Sequence, residues 1–157
     1  MNILYICTHN RCRSAICESI TNKLSGGRVQ AYSAGSQPAG EIHPLTLKFL
    51  EKRGFPTADL KSESWDKYFD KGIDVAITVC DSAASEACPL WMGDTSKLHW
   101  GLKDPSKVEG TEIEVEAAFM QLIDRVSLRV ERLLEIDLEN ISPEEFCAAL
   151  IRIAEDD

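Results

Sequence analysis

No apolar run in this sequence approaches the roughly 20 residues that a membrane span requires, so a bilayer is not the expected surrounding. Positive charge is scarce: 17 lysines and arginines stand against 26 aspartates and glutamates, a formal net charge of −9. Such a surface is repelled by nucleic acid and by anionic membranes, which argues against both as partners. Met1-Asn2 runs straight into an apolar stretch with no basic, apolar leader, and the cytosol is the expected compartment. Internal repeats, low-complexity tracts and linkers are lacking too. The six cysteines include no short C-x2-C pair of the kind that holds structural zinc, and no metal site is expected from them. In a reducing compartment they point to catalytic, redox-active or buried thiols rather than to a disulfide framework. What is present is a chain of 157 residues, 44% hydrophobic and 27% charged, which fits one globular domain with a full core.

One stretch carries most of the chemistry. Ile3-Leu4-Tyr5-Ile6 suits a strand buried on both faces of a parallel sheet, and Cys7-Thr8-His9-Asn10-Arg11-Cys12-Arg13-Ser14 follows as a short polar loop. From Ser14 the period changes. Ile16, Ile20 and Leu24 recur every four residues, so an amphipathic helix starts at or just after Arg13 and runs to Gly26-Gly27. A loop between a strand's carboxyl end and a helix's amino end offers unpaired N–H groups and the helix dipole to an oxyanion. The spacing Cys7-x5-Arg13-Ser14 sets a thiol under that anion and a guanidinium as its clamp, and Thr8, His9, Asn10, Arg11, Cys12, Arg13 and Ser14 together form the expected oxyanion-binding loop. The dipole and Arg13 should make Cys7 a thiolate nucleophile near neutral pH, hydrogen-bonded by the Ser14 hydroxyl. Asn10 tolerates the left-handed backbone that so tight a loop needs.

Further along, Val29 to Ser33 reads as a second strand, and His43-Pro44 opens a helix that stops at Gly54. A short helix is expected around Trp65 to Phe69, then a strong buried strand from Ile73 to Val79 that again ends on a cysteine, Cys80. The stretch Asp81 to Ala87 has good helix formers and leads to Cys88-Pro89, where proline ends it. Lys97 to Trp100 is a fourth strand, followed by a turn, Gly101 to Pro105, that holds Asp104 rigidly. Thr111 with Glu114 caps a long helix striped by Phe119, Ile123, Val126, Val130 and Leu133. Ser142-Pro143 with Glu145 caps a last helix, at about 143–154, with Phe146, Leu150 and Ile153 on one face. Right-handed crossovers then give an α/β fold: an open four-stranded parallel sheet in the order 2-1-3-4 with helices on both faces.

Cys7-x5-Arg13-Ser14 and Asp104-Pro105 resemble the low-molecular-weight protein tyrosine phosphatases. Thr78-Val79-Cys80-Asp81, Glu86-Ala87-Cys88-Pro89 and His99-Trp100-Gly101-Leu102-Lys103-Asp104-Pro105 are more similar to the arsenate reductases built on that fold. The resemblance covers roughly residues 1–134 and makes residues 1–157 a single domain of that kind with an added carboxyl-terminal helix. It implies that Cys7 attacks arsenate in the loop and that Asp104 protonates the departing oxygen. Reduction to arsenite needs two electrons, and no flavin or nicotinamide fingerprint accompanies the loop, so thiols must supply them. By the same resemblance Cys80 attacks the Cys7 adduct, Cys88 resolves the disulfide, and an external thiol donor, thioredoxin or glutathione with glutaredoxin, completes a cycle that serves arsenic detoxification. No tightly bound cofactor is implied. Asn10, Glu18 and Ser33 match positions that bind potassium in some relatives, which makes that ion a candidate ligand, and a monomer is expected.

The sequence departs from the family pattern in three places. His9 and Arg11 stand where small residues are usual and add positive charge near the anion. Seven residues separate Cys80 from Cys88, and the helix after Ser142 is an addition. Two other functions compete with the reductase. A phosphotyrosine phosphatase would use the same loop, but Pro105 is followed by Ser106 and Lys107 rather than by aromatics that grip a tyrosyl group. A non-enzymatic oxyanion or arsenite sensor gains nothing from a carboxylate at Asp104. Cys12, Cys17 and Cys147 read as buried thiols, and His43 and His99 as structural residues.

Overall fold

A computed structural model describes residues 1–86 and 88–156; Ala87, the end of the helical stretch expected after Cys80, and Asp157 lie outside the described residues. Strands β1 (Asn2–Ile6), β2 (Gln30–Ala34), β3 (Val75–Thr78) and β4 (Ser96–His99) pair in parallel in the order β2-β1-β3-β4. The expected topology is the observed one. Ile3, Leu4 and Tyr5 are fully buried, as a central strand between two packed layers must be. The register aligns Ala34, Ile6, Thr78 and His99 across the carboxyl edge of the sheet. The two cysteine-tipped strands are therefore direct neighbours, and Cys7 and Cys80 leave the sheet side by side.

Helix α1 (Arg13–Ser25) ends where Gly26 turns left-handed at φ 57°. Its packing is broader than the expected stripe: Ser14, Ala15, Cys17, Ser19 and Thr21 are buried with Ile16 and Ile20, while Leu24 is only partly covered. Polar residues can be buried there because they find partners. Thr21 Oγ1 meets Tyr5 Oη at 2.8 Å, Ser25 Oγ donates to the Val29 carbonyl at 3.0 Å, and Ser19 donates to the Pro56 carbonyl. Helix α2 (Pro44–Lys52) is capped by His43, whose Nδ1 accepts from the Leu45 N–H at 3.1 Å. Trp65–Tyr68 forms one 3-10 turn.

Strand β3 is shorter than the run of apolar residues around it, because the chain turns after Thr78 to make Cys80 the cap of α3 (Asp81–Ser85). Helix α4 (Glu112–Leu133) starts with the expected capping box and buries its whole expected stripe, together with Leu122 and Arg129. Helix α5 (Pro143–Glu155) has a second capping box and lies against β4. The Trp100 indole, fully buried, donates to the Leu150 carbonyl at 2.9 Å, Cys147 Sγ donates to the Lys97 carbonyl at 3.5 Å, and the Arg129 guanidinium lies over the Trp100 ring. The added helix thus steadies the strand that leads to Asp104. Among the described residues no helix is long and apolar enough to cross a membrane.

Candidate active site

The loop from Cys7 to Arg13 is held from outside by its carbonyl groups. Gln37 N–H donates to the Thr8 carbonyl, Ala39 N–H to that of His9 and His43 N–H to that of Arg11, each at 2.9 Å. In a trans peptide the C=O and the following N–H point in opposite directions. The N–H groups of His9, Asn10 and Cys12 are accordingly turned inward. Asn10 takes the left-handed conformation at φ 47° that the curl demands. Gly35 permits the close approach of the β2 end, since a Cβ there would lie 2.4 Å from the Thr8 carbonyl oxygen. Unlike α4 and α5, α1 has no side-chain cap and no acid in its first turn. Its leading amides stay available to an anion.

The loop encloses a cavity of about 100 Å³ that also touches Cys80, Asp104 and Lys107. Thr8, His9, Arg11, Cys12 and Arg13 line it as the sequence leads one to expect. Asn10 and Ser14 instead brace the loop from behind. Asn10 Nδ2 donates to Ser14 Oγ at 2.9 Å, and its Oδ1 accepts from the Glu63 N–H at 2.8 Å. The Ser14 hydroxyl, expected to serve the Cys7 thiolate, has this amide as its partner. On the far wall Arg13 Nη1 donates to the Leu102 carbonyl at 3.0 Å and Nη2 stands 3.6 Å from Asp104 Oδ2, while Nε is buried without a partner. Asp104 Oδ1 accepts from Ser106 N–H at 2.9 Å and Oγ at 2.6 Å, so the carboxylate is fixed in direction.

The two sulfurs reverse one expectation. Cys7 and Cys80 are both free and buried, with Cys80 hydrogen-bonded to Cys7. That contact and burial push the Cys7 pKa up, against the weaker pull of Arg13 and the Asn10 N–H. Cys80 moves the other way, to about 5, through its bond with Cys7 and through the N–H groups of Thr8 and Ala83, each 3.4 Å from Sγ, which outweigh its burial. The two shifts run in opposite directions, so Cys80 is the more readily ionised of the pair. The expected thiolate is thus displaced by one strand, because a neighbouring sulfur with more amide donors competes for the charge.

Cys88 does not line the cavity. It is exposed, beyond the carboxyl end of α3. The other four expected catalytic residues, Cys7, Arg13, Cys80 and Asp104, face one another. Cys12 and Cys17 are buried thiols whose pKa values are raised to about 12, chiefly by burial. Of the candidate potassium ligands, Ser33 Oγ donates to Glu18 Oε1 at 2.6 Å, and burial raises the Glu18 pKa to about 7, while Asn10 is engaged by Ser14 and the Glu63 N–H. Among the described residues no three His, Cys, Asp or Glu side chains converge as a metal site. Two contacts escaped the sequence reading. Thr8 Oγ1 donates to Glu86 Oε1 at 2.8 Å, and His99 bridges Thr78 and Asp81 at 2.8 and 3.1 Å. The first joins residues 78 positions apart and leaves no local pattern to read.

Comparison with known proteins follows the same geometry. The family model for low molecular weight phosphotyrosine protein phosphatase matches residues 2–144, and so ends just inside α5. An arsenate reductase of Bacillus licheniformis is 34% identical over 133 residues, covering 85% of this chain and 94% of that protein. The solved structure of an arsenate reductase in the phosphate-binding state aligns with a TM-score of 0.68 at 26% identity, covering 85% of this chain and 96% of the other. The thioredoxin-dependent arsenate reductase of Corynebacterium glutamicum aligns with a TM-score of 0.65 at 28% identity over 88% of this chain and 61% of that one.

Proposed function

This chain belongs to the low molecular weight phosphotyrosine protein phosphatase family, and from that premise we propose that it is an arsenate reductase working through Cys7, Cys80 and Cys88. The observation that carries the reading is a second buried free thiol, Cys80, lining the anion cavity together with the first. Hydrolysis of a phosphate monoester needs one cysteine. Reduction needs two.

Arsenate enters the loop, where the inward amides of His9, Asn10 and Cys12 and the Arg13 guanidinium take its oxygens, with Thr8, His9, Arg11 and Cys12 forming the wall and Asn10 and Ser14 the brace. Cys7 bonds to arsenic, and its proton leaves with one arsenate oxygen as water, passed through Asp104. Cys80 already carries the charge and attacks the Cys7 sulfur. The sulfur–arsenic electron pair goes to arsenic, releasing arsenite and leaving a Cys7–Cys80 disulfide. Cys88 then attacks Cys80, frees Cys7, and leaves a Cys80–Cys88 disulfide for an external dithiol. The exposure of Cys88 suits that exchange. A thioredoxin-type donor is favoured by the thioredoxin dependence of the Corynebacterium relative, with glutathione and glutaredoxin as the rival source. The enzyme acts in the cytosol as a monomer, for arsenic detoxification. Residues 1–157 serve as one domain, and Asn10, Glu18 and Ser33 are the residues that would hold potassium.

The phosphatase reading is supported by the same loop, Arg13 and Asp104, but it leaves Cys80 without a task. The decisive experiment treats Cys88→Ser protein with one equivalent of arsenate and maps its non-reduced peptides. The relay requires one arsenite per enzyme and a Cys7–Cys80 linkage. Repeated turnover of that variant with thioredoxin as sole reductant, or no such linkage, overturns it.

A further inference from the structure

Two cations at the anion cavity have no task in the relay. Arg11 lines the cavity from the loop, and Lys107 lines it from the 3-10 turn Pro105–Lys107 that follows Asp104. Both residues are exposed, and among the described residues neither lies in an ion pair, although acids outnumber basic residues 26 to 17 in the chain. Their backbones are pinned all the same. The Arg11 carbonyl accepts from His43 N–H at 2.9 Å and from Thr46 Oγ1 at 3.3 Å. Lys107 N–H donates to the Asp104 carbonyl at 3.3 Å, and Pro105, which begins the turn, is buried. The fold thus holds two like charges at one opening, where they repel each other unless an anion lies between them.

The charge balance of the cavity shows why they are needed. Its inner cation, Arg13, stands 3.6 Å from Asp104 and gives Nη1 to the Leu102 carbonyl. A second carboxylate, Glu86, is bonded at 2.8 Å to Thr8 in the cavity wall. Two carboxylates against one guanidinium would repel a dianion, and Arg11 with Lys107 reverses the sign. Direction matters as much as sign. With Cys7 beneath the central atom of a tetrahedral anion, the loop amides and Arg13 take three of its oxygens, and the fourth points outward. In a monoester that fourth oxygen carries an organic group. In an inorganic oxyanion it is bare and can accept charge-assisted hydrogen bonds.

We propose that Arg11 and Lys107 bind the fourth, outward oxygen and so select an unsubstituted inorganic oxyanion over its organic derivatives. The pair determines specificity, and the inference deepens the reductase reading, on which its choice of substrate rests. An organic group in that place offers the two cations no acceptor and strips water from them, which costs free energy. The same residue choice weakens the case for a tyrosyl substrate, since Lys107 follows Ser106 where aromatics would grip the ring.

Calorimetric titration of the full chain with inorganic phosphate and with methylphosphonate tests the proposal without turnover, because thiols reduce neither. At a pH where both are dianions the two probes carry the same charge and differ only in the fourth substituent, an oxygen or a methyl group. The wild type should prefer phosphate. Lys107→Gln and Arg11→Gln should each weaken phosphate binding about three- to fivefold, the worth of an exposed ion pair, and weaken methylphosphonate binding less than about twofold. Lys107→Arg should keep the wild-type preference, and in about 1 M salt the Gln variants should converge on the wild type. Equal losses for both probes would show that the cations act only through their long-range field, and would overturn the assignment. Unchanged phosphate affinity in both Gln variants, or a wild type indifferent to the fourth substituent, overturns it too. Arsenite release by the wild type measures the reductase reading separately: its absence sinks that reading and leaves the binding preference standing, and its presence with an unaltered preference in the variants sinks this proposal alone.

Discussion

Two strands end on a cysteine at a helix amino terminus, and the two ends are built differently. At the β1 end the helix start is bare: α1 has no side-chain cap, the loop amides face a cavity, and Arg13 hangs over it. At the β3 end the helix start is already filled, since Cys80 Sγ itself accepts from Ala83 and from Thr8. The first site turns its donors towards a cavity, and the second turns them towards a sulfur of the protein itself. That difference explains why the Cys80 pKa is pulled down and that of Cys7 is pushed up, although Cys7 has the guanidinium. It also assigns different tasks to two chemically identical side chains. In the proposed relay Cys7 is the sulfur that meets the oxyanion, and Cys80 is the one more readily ionised.

Removing either sulfur breaks the comparison most severely. Cys7→Ser should abolish arsenate reduction while leaving the fold intact, because a serine hydroxyl is too weak an acid to form the adduct; a stopped assay for arsenite against a circular dichroism control checks it. Cys80→Ser should likewise release no arsenite without an added thiol, and it sharpens the contrast in a second way. With its rival gone, Cys7 keeps the pull of Arg13 and the Asn10 N–H and loses the contact that raised it. Titration of thiolate absorbance should lose the step near pH 5 that belongs to Cys80 and show Cys7 ionising at lower pH than in the wild type. The linked effect on stability has a definite sign. Because its folded pKa is depressed, Cys80 stabilises the protein above the ordinary thiol range, and that contribution is lost as pH falls towards 5. Denaturant midpoints measured between pH 9 and pH 5 should fall more steeply for the wild type than for Cys80→Ser.

Asp104→Asn is expected to act on the β1 end alone. The amide cannot donate a proton to the leaving oxygen, so formation of the adduct should slow by about 10² to 10⁴, the usual worth of general acid catalysis. Phosphate should still bind. Rapid-quench measurement of a single turnover separates the steps, and a loss under about threefold at every pH would give Asp104 another task.

Much of this site was readable before any coordinates. The change from a β-branched run to a four-residue period located the loop, and the proline after Asp104 signalled a rigid acid. Both signals are local. The order β2-β1-β3-β4 also followed from crossover handedness, and it is what sets Cys7 beside Cys80. The opposite pKa shifts of the two sulfurs were not readable, because they depend on amide donors that reach Cys80 from Thr8, 72 positions away, as well as from Ala83. Ser14 has a partner that its place in the sequence does not show: Asn10, folded back by its positive φ, donates to the Ser14 hydroxyl oxygen, which leaves the hydroxyl proton for another acceptor. The shortness of β3 has the same origin as the charge on Cys80: the chain leaves the sheet early so that the sulfur can cap α3.

The smallest expected effect, and the one that measures how completely backbone groups define the β3 end, comes from Thr8→Val. The change keeps the side chain's size and the Thr8 N–H, which lies 3.4 Å from Cys80 Sγ, and removes only the hydroxyl. That hydroxyl is 3.7 Å from the sulfur and donates its proton to Glu86, so it contributes little to lowering the Cys80 pKa. The thiolate step should therefore stay close to pH 5, while Ala83 and Thr8 continue to donate their backbone N–H groups. Glu86 loses its donor in the same variant, and a freed carboxylate near an anion cavity weakens phosphate binding by like-charge repulsion. The pattern to look for by absorbance titration and calorimetry is an unmoved Cys80 step with phosphate affinity lowered less than about tenfold. A Cys80 step returned to the ordinary thiol range would show that the hydroxyl, rather than the amides, makes this end of the site different from the other.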